Sequence, residues 1–289
     1  MLADGGDIQA AVELMEQALE LAPGWAAGWF RLGEYREKAG LAGPAVGAYR
    51  RVRELAPDDV FGASLKLALL GETDRPGLPP SDYIEGLFDD YADRFDTALV
   101  EKLGYSVPAK LVALLRRLVA PPYGHVIDLG CGTGLFGAEI RADCHFLEGF
   151  DLSENMLTKA AAKGFYDHLA RADLSLPIEE SGLIAGAARN RANVVTAADV
   201  MIYLGDLEEA FANVRALMHP KGHFAFSVEK ADSGYELRPS MRYAHSQAHV
   251  EAVLERHGMH VLAMEETTIR TDGGSPVEGL LFVARRKPG

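Results

Sequence analysis

The sequence predicts an α/β fold: a doubly wound, mostly parallel sheet with an antiparallel C-terminal edge, preceded by a short all-α segment. Three observations carry this reading. From residue 81 onward short apolar runs alternate with helix-length segments, one of those runs opens directly into a glycine-rich loop, and the first eighty residues show helical periodicity with an internal repeat. The 289 residues are 48% hydrophobic and 25% charged, which excludes wholesale disorder and suffices for a core. Twenty-nine basic against forty-two acidic side chains leave a net charge of −13, so no nucleic-acid partner is expected. Cys131 and Cys144 are too few for a disulfide framework. No apolar run approaches the ~18 residues of a membrane span, and the first residues lack a charged start followed by an apolar stretch. A cytoplasmic chain with no membrane contact is expected.

The N-terminal segment repeats itself. Ala11-Val12 and Ala45-Val46 lie 34 residues apart, as do Glu20–Pro23 and Glu54–Pro57. That period resembles the tetratricopeptide (TPR) repeat. Trp29, Leu32 and Gly33 fall where its first helix wants a large residue, a leucine and a glycine. Ala45, Tyr49 and Pro57 fall where its second wants a small residue, an aromatic and a proline. Arg36 departs, standing where an aromatic is usual. The match makes about one full repeat with a half on each side, shorter than the roughly three repeats that stand alone. Residues 1–70 are therefore expected to dock onto a protein partner or to self-associate. Gly71, Pro76, Gly77, Pro79 and Pro80 break any regular element, making 71–80 the linker and 81–289 the larger domain.

Ser81 and Asp82 cap a helix carrying Tyr83, Leu87, Phe88, Tyr91 and Phe95 at helical spacing. A second helix runs from about Pro108 to Val119. Strands are then expected at His125–Leu129, Phe146–Phe150, His168–Ala172, Asn193–Ala197, His223–Val228, Met259–Ile269 and Val277–Arg285, with Gly273-Gly274 as the turn between the last two. The first strand ends in Gly130-Cys131-Gly132-Thr133-Gly134, where a sheet of this kind binds its ligand. Glycines there let backbone approach a ligand, and the next helix offers free N–H groups.

Gly132 to Gly137 also satisfies the GxGxxG dinucleotide pattern, with Asp151 placed for a ribose. Asp128, two residues before the first glycine, argues otherwise, as do Asp173 at the end of the next strand and the acidic composition. A cationic sulfonium cofactor without phosphates suits carboxylates, and a pyrophosphate does not. S-adenosylmethionine (SAM) is the expected cofactor, with a nicotinamide dinucleotide as the competing one.

Val126–Gly134 resembles the first motif of the class I SAM-dependent methyltransferases. Tyr83–Asp96, Ala197–Asp206 and Arg238–Ser246 are similar to a bacterial group that carries an N-terminal TPR segment. The resemblance covers nearly everything from Ser81 onward and implies a Rossmann-like, seven-stranded fold. It places Gly130, Cys131, Gly132 and Gly134 against the methionine and adenosine parts of SAM. Asp128 would hold the ammonium end, and Asp151, with Leu152 beside it, the ribose hydroxyls. Asp173 would accept from the adenine amino group, with Leu174 beside the ring. Asp199 would border the methionine moiety and the acceptor, and Phe88 and Tyr91 would lid the cofactor.

The methyl acceptor is sought in Glu236–Ser246, where Arg238, Arg242, Tyr243 and His245 form a basic cluster in an acidic chain. Arg242 or Arg238 would bind a small acidic acceptor, Tyr243 or His245 would orient or deprotonate it, and Tyr203 would wall the pocket. No spacing resembles a metal site. Two alternatives stand beside a small acid: a protein or carrier-bound substrate recruited by the helical segment, and a SAM-binding scaffold without turnover.

Overall fold

A computed structural model describes residues 7–92, 105–272 and 274–287. The chain divides into two compact units, Met1–Ile84 with Leu237–Met241, and Glu85–Glu236 with Arg242–Gly289. The division thus falls just beyond the proline-rich stretch, and a five-residue excursion of the second half belongs to the first unit.

In the first unit α1 (Ile8–Leu21), α2 (Ala26–Lys38), α3 (Ala42–Leu55) and α4 (Ala63–Leu69) pack in succession around Val12, Leu19, Leu32, Ala45, Tyr49 and Val52. Asp7 caps α1 by accepting from the Ala10 N–H at 3.0 Å. Gly33 is a close-approach residue, since a Cβ there would lie 2.5 Å from the Tyr49 ring. Arg36 reaches Glu16 on α1 at 2.8 Å and donates to the Pro44 carbonyl on α3 at 2.9 Å, so a cation here tethers three helices. Next comes α5 (Ser81–Tyr91); Asp93 to Asp96 of the expected aromatic helix, Phe95 included, lie outside the described residues.

The second unit continues with α6 (Val107–Leu118), β1 (Tyr123–Leu129), α7 (Leu135–Ile140), β2 (Cys144–Asp151), α8 (Glu154–Lys163), β3 (His168–Arg171), β4 (Ala192–Ala197) and α9 (Glu208–Leu217). Then follow β5 (Met218–Lys230), β6 (Tyr235–Leu237), β7 (Tyr243–His245), α10 (Gln247–Arg256), β8 (Met259–Asp272) and β9 (Ser275–Arg286). Parallel pairing runs β3-β2-β1-β4-β5, with β9 antiparallel to β5 and β8 antiparallel to β9. The mostly parallel sheet with its antiparallel edge is as expected. The strand count is not: among the described residues the sheet has nine strands. β5 runs on to Lys230, and there Glu229 and Lys230 pair with Ala244 and His245. The segment Glu236–Ser246, for which no strand is expected from the sequence, therefore holds β7 and the last two residues of β6.

Alternation along the strands sorts their side chains into two cores. Ile127, Leu129, Val195, Phe224, Phe226 and Phe282 face α9 and α10, where Phe224 and Phe226 stack at 4.3 Å between centroids. Val126, Val194, Ala225, Leu281 and Val283 face α6 and α7. Between Thr268 and Arg270 the β8 register shifts by one residue, and a Cβ at Gly279 would lie 2.6 Å from Ile269 Cγ2. The chain steps from β1 outward to β3 and returns to β4 on the other side of β1, which opens a crevice at the carboxyl ends of β1 and β4. Among the described residues no helix is long and apolar enough to cross a membrane.

Candidate cofactor and acceptor site

Gly130 leaves β1 at φ 62°, and a Cβ on it would meet Val200 Cγ2 at 2.4 Å, so both backbone and space demand glycine. Cys131 N–H donates to the Phe150 carbonyl, and the Gly132 N–H donates to Asp151 Oδ2 at 2.8 Å. The loop is thereby tied to the end of β2. Asp151 Oδ1 accepts from the Ser153 N–H at 2.9 Å, and Ser153 Oγ caps α8 through Met156 while donating to Asp89 on α5. Burial raises the Asp151 carboxyl to about 6, against the opposing pull of those backbone donors.

Asp128 is 1% exposed. Its Oδ2 accepts from the Tyr166 hydroxyl at 2.7 Å and its Oδ1 from the Thr196 hydroxyl at 3.0 Å. Burial raises it to about 7, although both hydroxyl donors pull the other way. Beside it a cleft of about 310 Å³ is lined by Tyr105, Asp128, Gly130, Cys131, Gly132 and Ala198, among others. Among the described residues no lysine or arginine lines it, and Asp128 is the carboxylic acid there. Positive-φ backbone, a carboxylate floor and no cation fit a phosphate-free, positively charged cofactor better than a pyrophosphate.

The other expected cofactor residues separate. Asp173 Oδ1 accepts from both the N–H and the hydroxyl of Ser175, and so it caps its own turn. Leu174 packs on the larger core, and the Leu152 carbonyl accepts from Arg171 Nε. Phe88 meets the Tyr203 ring edge-on at 5.1 Å, and Tyr91 closes the same helix α5. Asp199, at φ 56°, is held by Ser227: its N–H donates to Ser227 Oγ at 2.8 Å and its Oδ1 accepts back at 2.7 Å. Burial pushes its carboxyl up.

Next to Asp199 stands a residue that sequence reasoning missed. Arg270, 4% exposed, pairs with the buried Glu229 and lies 3.8 Å from Asp199 Oδ2. Arg242 sits 3.6 Å from Asp272, with its guanidinium 6.0 Å from the Tyr203 ring centroid. Both Arg242 Nε and Arg270 Nε are buried without a hydrogen-bond partner among the described residues. The sequence carries no clear signal for Arg270, because β8 also holds Glu265, Glu266 and Asp272. Tyr105 and Tyr166 were missed because neither belongs to a motif.

Three expectations for the acceptor end change. Tyr243 is fully buried, packed where a Cβ on Gly205 would fall 2.6 Å away, and burial raises its phenol. His245 is also fully buried, its Nε2 3.1 Å from the Gly205 carbonyl, and burial lowers it to about 4. Both side chains are enclosed by the fold, which leaves neither placed to take a proton from an acceptor. Arg238 belongs to the first unit, in a turn closed by Met241 N–H donating to its carbonyl at 2.8 Å. Among the described residues no group of His, Cys, Asp and Glu could hold a metal ion.

Fold and site define a domain that binds a cationic nucleoside cofactor over a glycine loop. Residues 103–265 match the family described as "Methyltransferase domain", more than half of the chain. The chain belongs to that family, and its cofactor is S-adenosylmethionine. Among curated proteins it is 28% identical over 148 residues to the malonyl-[acyl-carrier protein] O-methyltransferase of Enterobacter lignolyticus, covering 51% of this chain and 55% of that one. It is 36% identical over 97 residues to human methyltransferase-like protein 27, covering 32% and 39%. The chain spans about half the length of the curated relatives it matches. Among solved structures, Burkholderia thailandensis 1,6-didemethyltoxoflavin-N1-methyltransferase, with its substrate and S-adenosylhomocysteine bound, overlays at a TM-score of 0.55 with 18% identity. That overlay covers 74% of this chain and 93% of that one and speaks for the fold.

Proposed function

We propose that the chain is a SAM-dependent methyltransferase whose acceptor is a carboxylic acid. The observation that carries this is the pair of buried Nε donors on Arg242 and Arg270, which have no hydrogen-bond partner among the described residues and whose charges both act on Asp199. A buried donor left unmade costs about 1–3 kcal/mol, so a site holding two of them is built for a ligand with oxygen acceptors. A carboxylate is the acceptor that meets two guanidinium groups best. That relatives of the chain are named malonyl-[acyl-carrier protein] O-methyltransferases supports the same acceptor atom.

Bound SAM supplies an electrophilic methyl on a cationic sulfur, which leaves as a neutral thioether. An ionised carboxylate would accept that methyl without a general base, so the chain would have no proton to move. The burial of Tyr243 and His245 therefore costs the reaction nothing. The chain's contribution is placement, which can supply up to about 7–11 kcal/mol of a barrier. Asp128 and Asp151, with the Gly130–Gly134 loop, hold the cofactor. Arg242 and Arg270 hold the acid, with Tyr203 and Phe88 covering it. Asp173 and Leu174 stand at the adenine side.

The helical unit suits a recruiting role. Its 34-residue spacing and the Gly33–Tyr49 contact support a TPR-like hairpin that docks a carrier or a protein partner. Calorimetry with SAM, S-adenosylhomocysteine and NADH tests the cofactor; NADH binding alone would overturn it. Release of S-adenosylhomocysteine with free dicarboxylic acids and with their thioesters tests the acceptor. Turnover on amines or phenols but on no acid would overturn the carboxylate.

A further inference from the structure

Tyr166 lies outside every motif, in the turn between α8 and β3, yet three glycines are shaped around it. A Cβ on Gly134 would sit 3.1 Å from its ring, one on Gly137 2.6 Å, and one on Gly149 2.8 Å. These belong to the cofactor loop, to α7 and to β2. The third glycine of the GxGxxG pattern thus makes room for a tyrosine ring, not for a helix packed on a strand. Its hydroxyl accepts from the Gly137 N–H at 3.2 Å and donates to Asp128 Oδ2 at 2.7 Å. With the Thr196 hydroxyl on Oδ1, each Asp128 oxygen has one fixed donor, and the carboxylate cannot turn at the floor of the cleft.

We propose that Tyr166 is a positioning residue of the cofactor site: its ring seats the glycine loop and its hydroxyl fixes the orientation of Asp128. This rests on the cofactor reading above. It has a consequence for pH that ring packing alone would not have. The groups around Asp128 are Asp151 from β2, Cys131 from the loop, Tyr105 ahead of α6, Tyr166, and the non-titrating Thr196 from β4. Of these, the hydroxyls of Tyr166 and Thr196 favour the ionised carboxylate, whereas burial and Asp151 oppose it. Removing the Tyr166 hydroxyl therefore moves the Asp128 titration to higher pH.

The test is calorimetric titration of S-adenosylhomocysteine into the full chain between pH 5.5 and 9, for wild type, Tyr166→Phe, Asp128→Asn and the double variant. Wild-type affinity should rise as Asp128 ionises near pH 7. Tyr166→Phe keeps the ring and should weaken binding roughly tenfold at pH 7, recovering as pH rises. Asp128→Asn should flatten the profile, and adding Tyr166→Phe to it should produce no further shift. Affinity and midpoint equal to wild type in Tyr166→Phe, or an equal loss at every pH, would overturn the proposal. Thermal melting of the ligand-free chain over the same range reads the Tyr166–Asp128 coupling by itself. If wild type binds no S-adenosylhomocysteine while that coupling persists, it is the cofactor reading that falls, and the site role of Tyr166 with it.

Discussion

The two ends of the crevice bury charge in opposite ways. At the cofactor end, Asp128 and Asp151 are acids whose oxygens the chain itself supplies with donors: two hydroxyls for one, the Gly132 and Ser153 N–H groups for the other. At the acceptor end, Arg242 and Arg270 are bases with donors left over. A satisfied buried group holds its geometry whether or not a ligand is present, whereas an unsatisfied one is stabilised when a ligand arrives. The cofactor end is thus preorganised by the chain, and the proposed acceptor end would be completed by the acid it takes.

The sharpest way to break this contrast is Arg270→Met. Stranding Glu229 in the interior should cost about 3–5 kcal/mol of stability, visible as a large fall in Tm. Arg270→Met with Glu229→Leu should recover most of that stability and yet remain without turnover on acids. A repaired double variant that still methylates them would make the pair a packing device only. Next in size, Asp151→Ala should weaken S-adenosylhomocysteine by about two orders of magnitude, since it loses contacts worth about 1.5–3 kcal/mol each and frees Gly132 from β2. Unaltered affinity by calorimetry would remove Asp151 from the site.

Arg242→Ala should raise KM for the acid by roughly tenfold to a hundredfold while SAM affinity stays at its wild-type value. Equal losses in both would mean that the two ends are not separate. A further effect is on stability against pH. Asp128 and Asp151 titrate in the fold at about 7 and about 6, above their unfolded values, so their contribution is fully present below about pH 4 and is lost as pH rises through 6 and 7. Asp128→Asn should flatten the upper part of that fall in a denaturant series. A slope equal to wild type would place Asp128 in water.

The cofactor end was the legible part because it is local: strand, glycine loop and acid follow one another within thirty residues. The alternation of strands and helices gave the mostly parallel sheet for the same reason. The acceptor end is assembled from β5, the segment after it and β8, residues far apart in sequence whose meeting is decided by sheet order. The basic cluster at Arg238–His245 looked like one site because four polar residues lie close in sequence. Strand pairing by β7 instead buries Tyr243 and His245, leaves Arg242 beside Tyr203, and assigns Arg238 to the other unit. Asp173, a strand-end acid like Asp151, spends one oxygen on its own turn, a distinction that composition does not carry.

The one-residue register shift at Ile269 has a consequence for how this chain can change. Strand side chains alternate strictly, so a single extra residue decides which face Arg270 occupies. The anchor for the acceptor therefore hangs on an insertion of one codon in an edge hairpin that contributes nothing to the glycine loop. Losing or moving that codon would swap the anchor for a neighbouring side chain and leave SAM binding untouched. If Arg270 is the acceptor's anchor, acceptor choice can thus change separately from cofactor binding, through one residue of the β8–β9 hairpin.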